Sequence, residues 1–216
     1  MKVRRIIRSI DHRLIGPLTF RNARNWSSKT NFQSTYRRLV NSLTDVYSVD
    51  EGVKMAVGGQ FEAFGILEKQ ALIYHGLKKT DYLIDVGCGS GRLAKPLSEY
   101  LDGKYLGIDV VPELVNYARK LVPRSDWKFQ VASGLTIDEA DGQADMVCFF
   151  SVLTHLLHEE SFVYLKEARR VVKDGGKIVF SFLDFRIKSH WQFFEANIKD
   201  IGIGSQPLNM FMSVEM

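Results

Sequence analysis

The sequence predicts a doubly wound α/β fold, a mostly parallel sheet with helices on both faces, preceded by a helical N-terminal extension. Three observations carry this expectation. From residue 80 onward, short apolar runs bounded by Gly or Asp alternate with segments of helical periodicity. The runs are apolar along their whole length, as strands covered on both faces must be. The 216 residues, 45% hydrophobic and 25% charged, suffice for one α/β domain with a sizeable core and an appendage, but not for two full domains.

Asn31–Tyr47 carries Phe32, Tyr36, Leu39, Val40, Leu43 and Val46 at helical spacing, and Gly58-Gly59 breaks the chain beyond it. Phe61, Phe64, Leu67, Ala71 and Leu72 mark a second helix that stops at Gly76. Tyr82–Val86 is the first strand, followed by a helix with Leu93, Ala94, Leu97, Tyr100 and Leu101 on one face. Tyr105–Ile108 leads to a helix with Leu114, Val115, Ala118, Leu121 and Val122. Trp127–Ala132 is the third strand and Met146–Ser151 the fourth, with a helix from about Glu159 to Lys173 after it. The turn Asp174-Gly175-Gly176 opens a fifth strand, Lys177–Leu183, and a last helix runs from His190 to about Ile201. This divides the chain into a basic extension, residues 1–57, and a ligand-binding domain, residues 58–216.

The first strand runs into Leu83-Ile84-Asp85-Val86-Gly87-Cys88-Gly89-Ser90-Gly91. In open parallel sheets, ligands sit beyond the carboxyl ends of the strands, and glycines there let the backbone come close to them. A dinucleotide fingerprint, G-x-G-x-x-G, would place its third glycine at position 92, which is Arg; the spacing here is G-x-G-x-G. Asp85 puts a carboxylate at the mouth of the strand, where it would repel a pyrophosphate and attract an ammonium or sulfonium. Asp109 ends the second strand, eighteen residues past Gly91, where an acid is placed to accept both hydroxyls of a ribose. One ligand with an amino-acid end and an adenosine end satisfies both acids.

These residues resemble the class I methyltransferases that use S-adenosyl-L-methionine. Asp85–Gly91 looks like their first motif, Asp109 like their ribose-binding acid, and Asp174-Gly175-Gly176 like the turn before their fifth strand. The resemblance spans roughly residues 60 to 183, and it implies a cofactor site made of Asp85, Gly87, Cys88, Gly89, Gly91, Asp109, Val110, Ser133, Gly134, Leu135, Phe150 and Ser151. Asp85, Gly87 and Gly89 would hold the methionine end, Asp109 the ribose, and Val110 would lie against the adenine. Where the family often has an acid facing the adenine amino group this chain has Ser133, so a backbone carbonyl would take that contact. Phe150 and Ser151 would lie beside the methyl group. The segment Gly58–Gly65 reads first as a helix start with Phe61 and Phe64 in the core, and it is also similar to a stretch that closes over the cofactor in some bacterial members.

The acceptor is less defined. His155, just past the fourth strand, is the candidate general base for an oxygen or nitrogen acceptor, or else a polar residue at a helix start. His158 reads as a surface residue of that turn. His190 and Trp191 line the acceptor pocket or begin a helix packed with Phe193 and Phe194. The expected acceptor is a small molecule, for example a saccharide.

Residues 1–60 hold eleven Lys and Arg against four Asp and Glu, and the rest of the chain eighteen against twenty-one. Such a basic arm is a solvated face, or else meets a nucleic acid or an anionic membrane surface. A non-catalytic cofactor-binding module is the reading from outside the enzymes. No apolar run approaches the roughly 20 residues that span a bilayer. The N-terminus lacks a secretory pattern, and Asp11 with no Ser-rich continuation argues against a mitochondrial presequence. Cys88 and Cys148 read as small hydrophobes in a reducing compartment, with no metal site, so a cytoplasmic location is expected.

The family's sheet ends in an antiparallel strand pair. Gln206–Met216 is too short for two strands of about 5–6 residues and a turn. The last strands are therefore expected to be missing, with disorder, truncation or a covering partner after about residue 204, and Met210-Phe211-Met212 with nothing to pack on it.

Overall fold

The computed structural model describes residues 32–199 and 208–213. Helices α1 (Phe32–Val46), α2 (Val49–Ala56) and α3 (Phe61–Tyr74) precede the first strand, β1 (Leu83–Val86). Then come α4 (Ala94–Leu97), β2 (Tyr105–Asp109), α5 (Pro112–Leu121), β3 (Lys128–Val131) and β4 (Ala144–Phe149). A 3-10 turn, Leu153–His155, leads to α6 (His158–Val171), β5 (Val172–Phe180), β6 (Leu183–Asp184), α7 (Lys188–Lys199) and β7 (Phe211–Met212).

Strands β1 to β5 form one sheet in the order β3-β2-β1-β4-β5, with every neighbouring pair parallel. The chain winds outward from β1 to β3, then returns to the other side of β1 for β4. The order therefore reverses between β1 and β4, and the crevice beyond their carboxyl ends is the ligand position of such a sheet. β1 is buried at all four residues, the carboxylate Asp85 included, as a central strand covered on both faces is. One core layer gathers Leu72, Leu97, Leu101, Tyr105, Ala118 and Met146, and the layer on the other face Ile84, Leu106, Val147, Phe149, Leu153 and Val171.

Three local departures from the sequence reading have clear causes. The helix expected over Leu93–Leu101 is regular only over Ala94–Leu97. Pro96 has no N–H to give the Arg92 carbonyl, which is instead closely approached by Gly65 of α3; a Cβ there would sit 2.3 Å from that oxygen. Next, β5 starts at Val172 rather than after the Asp174-Gly175-Gly176 turn, because Ala144 pairs with Val172 and Met146 with Lys177, so the turn loops out of the ladder. The strand also stops at Phe180, and Leu183–Asp184 pairs separately and in parallel with Phe211–Met212.

That small pair corrects the expectation for Met210-Phe211-Met212. Phe211 is buried, with its ring 5.4 Å from Phe185 and 5.2 Å from Phe194. The span 200–207, with the expected stop of the last helix and the boundary near 204, lies outside the described residues, as does the basic arm up to residue 31.

Residues 32–56 of the extension pack onto the sheet domain: Val40, Val53 and Ala56 share a cluster with Val111 and Leu114. Tyr36 donates to the Ala56 carbonyl at 2.6 Å, and the Ser90 hydroxyl donates to the Val53 carbonyl at 3.0 Å. Among the described residues no helix is long and apolar enough to cross a membrane.

Candidate cofactor and acceptor site

A cleft opens at the β1/β4 reversal. Its empty volume is about 1090 Å³ including the open mouth.

The floor is the glycine loop. Gly87 and Gly89 have φ of +79° and +53°, and a Cβ on them would lie 2.2 Å from Val152 and 2.7 Å from Val57. Only glycine leaves this loop open to the cleft. Gly91, by contrast, faces α5, where a Cβ would sit 3.2 Å from Ala118, so it serves packing and lies outside the cleft lining. The Cys88 side chain likewise turns into the core, and burial pushes its thiol well above the usual range.

Asp109 ends β2 in the cleft wall. Its carboxylate accepts from Gly89 N at 3.0 Å and from Val111 N at 2.9 Å. One side chain thus ties the glycine loop to the start of α5. Burial raises its pKa to about 6, against the pull of those backbone donors. Two N–H donors leave part of a carboxylate's acceptor capacity unused, which suits a diol. Val110, Gly134 and Leu135 continue this wall. Ser133 does not; it lines two shallower hollows next to it.

Asp85 is not at the open mouth. It is 2% exposed, accepting from the Tyr105 hydroxyl at 2.7 Å and from Cys148 Sγ at 3.5 Å. It borders a smaller hollow with Glu68 and Cys88 that shares Val57, Gly87, Gly89, Arg92 and Phe150 with the main cleft. Burial raises Asp85 to about 7, with Glu68 adding to the effect, and burial raises Glu68 as well. Arg92 answers both acids: it pairs with Glu68, reaches Glu68 Oε2 at 3.3 Å, and donates to the Val57 carbonyl. A hollow with two carboxylates against one guanidinium favours a cation, the charge of an α-ammonium.

The rest of the lining comes from residues that sequence patterns did not single out for the site: Gln33 and Tyr36 of α1, Val57 and Arg92, Val152 and Leu156 after β4, and Tyr164 of α6. Their helical spacing marked Tyr36 as a core candidate, and the structure gives it both roles. Ser151 adopts φ +58° at the cleft edge, a left-handed conformation for a non-glycine residue. Its N–H donates to the Ser181 hydroxyl at 2.8 Å, linking the ends of β4 and β5.

His155 reaches the cleft from the turn after β4, its ring 5.9 Å from that of Tyr36. Its Nδ1 lies 2.7 Å from the Leu208 carbonyl, and burial lowers its pKa, so the imidazole is neutral near pH 7. His158 is half-buried, with Nε2 enclosed, rather than on the surface. His190 and Trp191 do not line the cleft. His190 accepts from Asp184 N at 2.9 Å, and Trp191 lies tilted against Phe185 and Phe194, which favours the packed-helix alternative.

Known proteins agree with this geometry. A family model described as a methyltransferase domain matches residues 84–180. A SAM-dependent methyltransferase from Thermotoga maritima, 20% identical, superimposes over 84% of this chain and 75% of its own with a TM-score of 0.57. The chloroplastic 2-phytyl-1,4-beta-naphthoquinone methyltransferase of Arabidopsis thaliana is 34% identical over 56% of this chain and 48% of its own length. The chloroplastic tocopherol O-methyltransferase of the same plant is 29% identical over 62% of this chain and 40% of its own. Residues 84–180 thus match a methyltransferase domain, and the chain has the fold of the class I methyltransferases. It spans less than half the length of these two relatives.

Proposed function

We propose that this protein transfers a methyl group from S-adenosylmethionine to an oxygen or nitrogen of a small acceptor, with a hydroxylated aromatic ring as the class that the rest of the lining favours. The observation that carries the reading is the pairing of two subsites in one cleft. Asp109 and the Gly87/Gly89 loop line it together with His155, Tyr36, Phe150 and Leu156, and we read the first group as the cofactor subsite and the second as the acceptor subsite.

The chain's residues fit the cofactor. The Asp109 carboxylate would take the ribose, Val110 and Leu135 would flank the adenine, and the backbone of Gly87 and Gly89 would carry the methionine part with its ammonium toward Asp85. When bound, the cofactor supplies a methyl group activated by its sulfonium. The protein's work is then to orient the acceptor and take up its proton. Neutral His155 at the cleft edge is the group for that proton, the more so for an acidic phenolic hydroxyl. The aromatic and aliphatic side chains of the acceptor subsite suit a flat ring better than a saccharide, and named relatives act on quinone-type and tocopherol acceptors. Residues 1–57 would form a functional extension, with α1 roofing the cleft, and the protein would work in the cytoplasm.

Thermal shift with S-adenosylhomocysteine and NAD tests the cofactor half: the first should stabilise strongly and the second little, since bound ligand stabilises by mass action. Labelled S-adenosylmethionine offered with hydroquinones, catechols and saccharides tests the acceptor half. Labelled saccharide without labelled phenol would reverse the acceptor reading, and NAD stabilising more than S-adenosylhomocysteine would reverse the cofactor reading.

A further inference from the structure

We infer that the segment Leu208–Met212 is a positioning element of the acceptor site, which fixes the imidazole of His155 with its proton on Nδ1 and its lone pair on Nε2. The inference rests on the reading of His155 as the proton acceptor and adds how that role is prepared.

A backbone carbonyl can only accept. The 2.7 Å contact between the Leu208 carbonyl and His155 Nδ1 therefore puts the proton on Nδ1, and in the neutral ring Nε2 must carry the lone pair. His155 lines the cleft and Leu208 does not, so the protonated edge is the one held by the protein. Imidazole in water prefers the other tautomer, with the proton on Nε2, which would present a donor where a base is needed.

The segment is built to hold that carbonyl still. Met210 N donates to the Thr154 carbonyl at 2.7 Å, so the residues on either side of Asn209 grip Thr154 and His155 together. Asn209 donates to Asn197 Oδ1 of α7 at 2.8 Å. Phe211 plugs the ring cluster of Phe185, Phe193 and Phe194, and its strand pairs with Leu183–Asp184. One of these anchors is on the His155 turn and three are on α7 and β6. The contact with His155 is thus a joint between the far end of the chain and the acceptor site. The 3-10 turn that carries His155 is only three residues long.

His190 provides an internal contrast. Its Nδ1 accepts from the Asp184 N–H, so its proton sits on Nε2. Nitrogen NMR of the full chain with S-adenosylhomocysteine bound, labelled at histidine, distinguishes the two forms, with His155→Gln to assign the signal. The expected spectrum has His155 mainly protonated at Nδ1 and His190 at Nε2. Phe211→Ala should move His155 to a mainly Nε2-protonated form while S-adenosylhomocysteine binding stays within about threefold, and Phe211→Leu should largely restore the original signal. Should Phe211→Ala fail to fold, Met210→Pro removes the one N–H given to Thr154 and should shift the tautomer the same way. An Nε2-protonated His155 in the unaltered protein, or a signal unmoved in a folded variant, overturns the inference. Loss of methyl transfer to phenols with the tautomer as expected would instead count against the acceptor reading alone.

Discussion

The cleft wall formed by Gly87, Gly89, Asp109 and Val110 comes from two short stretches of chain, each at the end of a strand. The rest of the lining is assembled from α1, the end of α2, the turn after β4 and α6, and its candidate base leans on a carbonyl more than fifty residues away. In the first wall the backbone is the binding surface, so local sequence decides the shape. In the second the surface is made of side chains whose positions depend on packing between distant elements. Cofactor binding should accordingly fail at single positions and in large steps, while the rest of the lining should yield gradually.

The largest effect is expected at Asp109. Asp109→Ala removes a carboxylate whose charge-assisted bonds contribute about 1.5–3 kcal/mol, so affinity for S-adenosylhomocysteine should fall tenfold or more. It also strips the Gly89 and Val111 amides of their acceptor, at about 1–3 kcal/mol for each one left buried, so the variant should melt lower too. Asp109→Asn retains an acceptor for one of them and should lie between. Calorimetry that finds unchanged affinity in Asp109→Ala would remove this residue from the site.

Asp85 makes the next prediction, as a pH dependence. Its carboxyl is raised to about 7 in the free protein by burial. A bound ammonium favours the ionised form and lowers that value, so binding expels a proton below pH 7. Affinity should therefore rise with pH up to about 7, by as much as tenfold per unit, and level off above it. Asp85→Asn should flatten the curve and bind weakly throughout. The stability of the free protein runs the opposite way. A carboxyl raised on folding contributes stability below its unfolded pKa and loses it as pH rises through 7, so Asp85→Asn should melt higher than the parent at pH 8. A wild-type affinity profile flat between pH 5.5 and 7.5 would show that no cation reaches Asp85.

The same contrast explains what could be read from the sequence. Asp85, Gly87, Gly89 and Asp109 announce themselves because strand ends and glycine spacing fix backbone geometry within a few residues. The five strands of the sheet were legible for the same reason, since an unbroken apolar run such as Met146–Phe149 has few other uses. Gly91 and Cys88 share that stretch of chain yet face away from the cleft, because which side of a loop a residue faces is set by packing against Ala118 or the core. Tyr36 and Arg92 could not be found that way. Tyr36 shows only a helical stripe, and Arg92 only the absence of a third glycine. The role of Leu208 is a carbonyl and has no side-chain signature at all.

A milder test bears on Tyr36. Its hydroxyl donates to the Ala56 carbonyl, so Tyr36→Phe should cost stability of about 1 kcal/mol by leaving that acceptor unpaired. S-adenosylhomocysteine affinity should stay within about twofold, because the ring remains. A tenfold loss would mean that α1 bears on the cofactor as directly as Asp109 does, and the two walls would no longer differ in kind.

The smallest effect is expected at Ser151, where the walls meet. Its φ of +58° costs a side-chain-bearing residue on the order of 1 kcal/mol or more, and glycine removes that cost. Against this, glycine adds freedom to the unfolded chain worth about 0.4–1 kcal/mol. Both hydrogen bonds that the residue makes run through its backbone, the N–H to Ser181 and the carbonyl from Thr154 at 3.2 Å, and both survive the change. Ser151→Gly should therefore shift stability by less than about 1 kcal/mol, toward a gain, whereas Ser151→Val, β-branched and ill suited to this φ, should lose at least about that much. Chemical denaturation of the pair measures the strain directly. If Ser151→Gly instead loses stability as Ser151→Val does, the serine side chain itself secures the junction, and the acceptor wall is locked as locally as the cofactor wall.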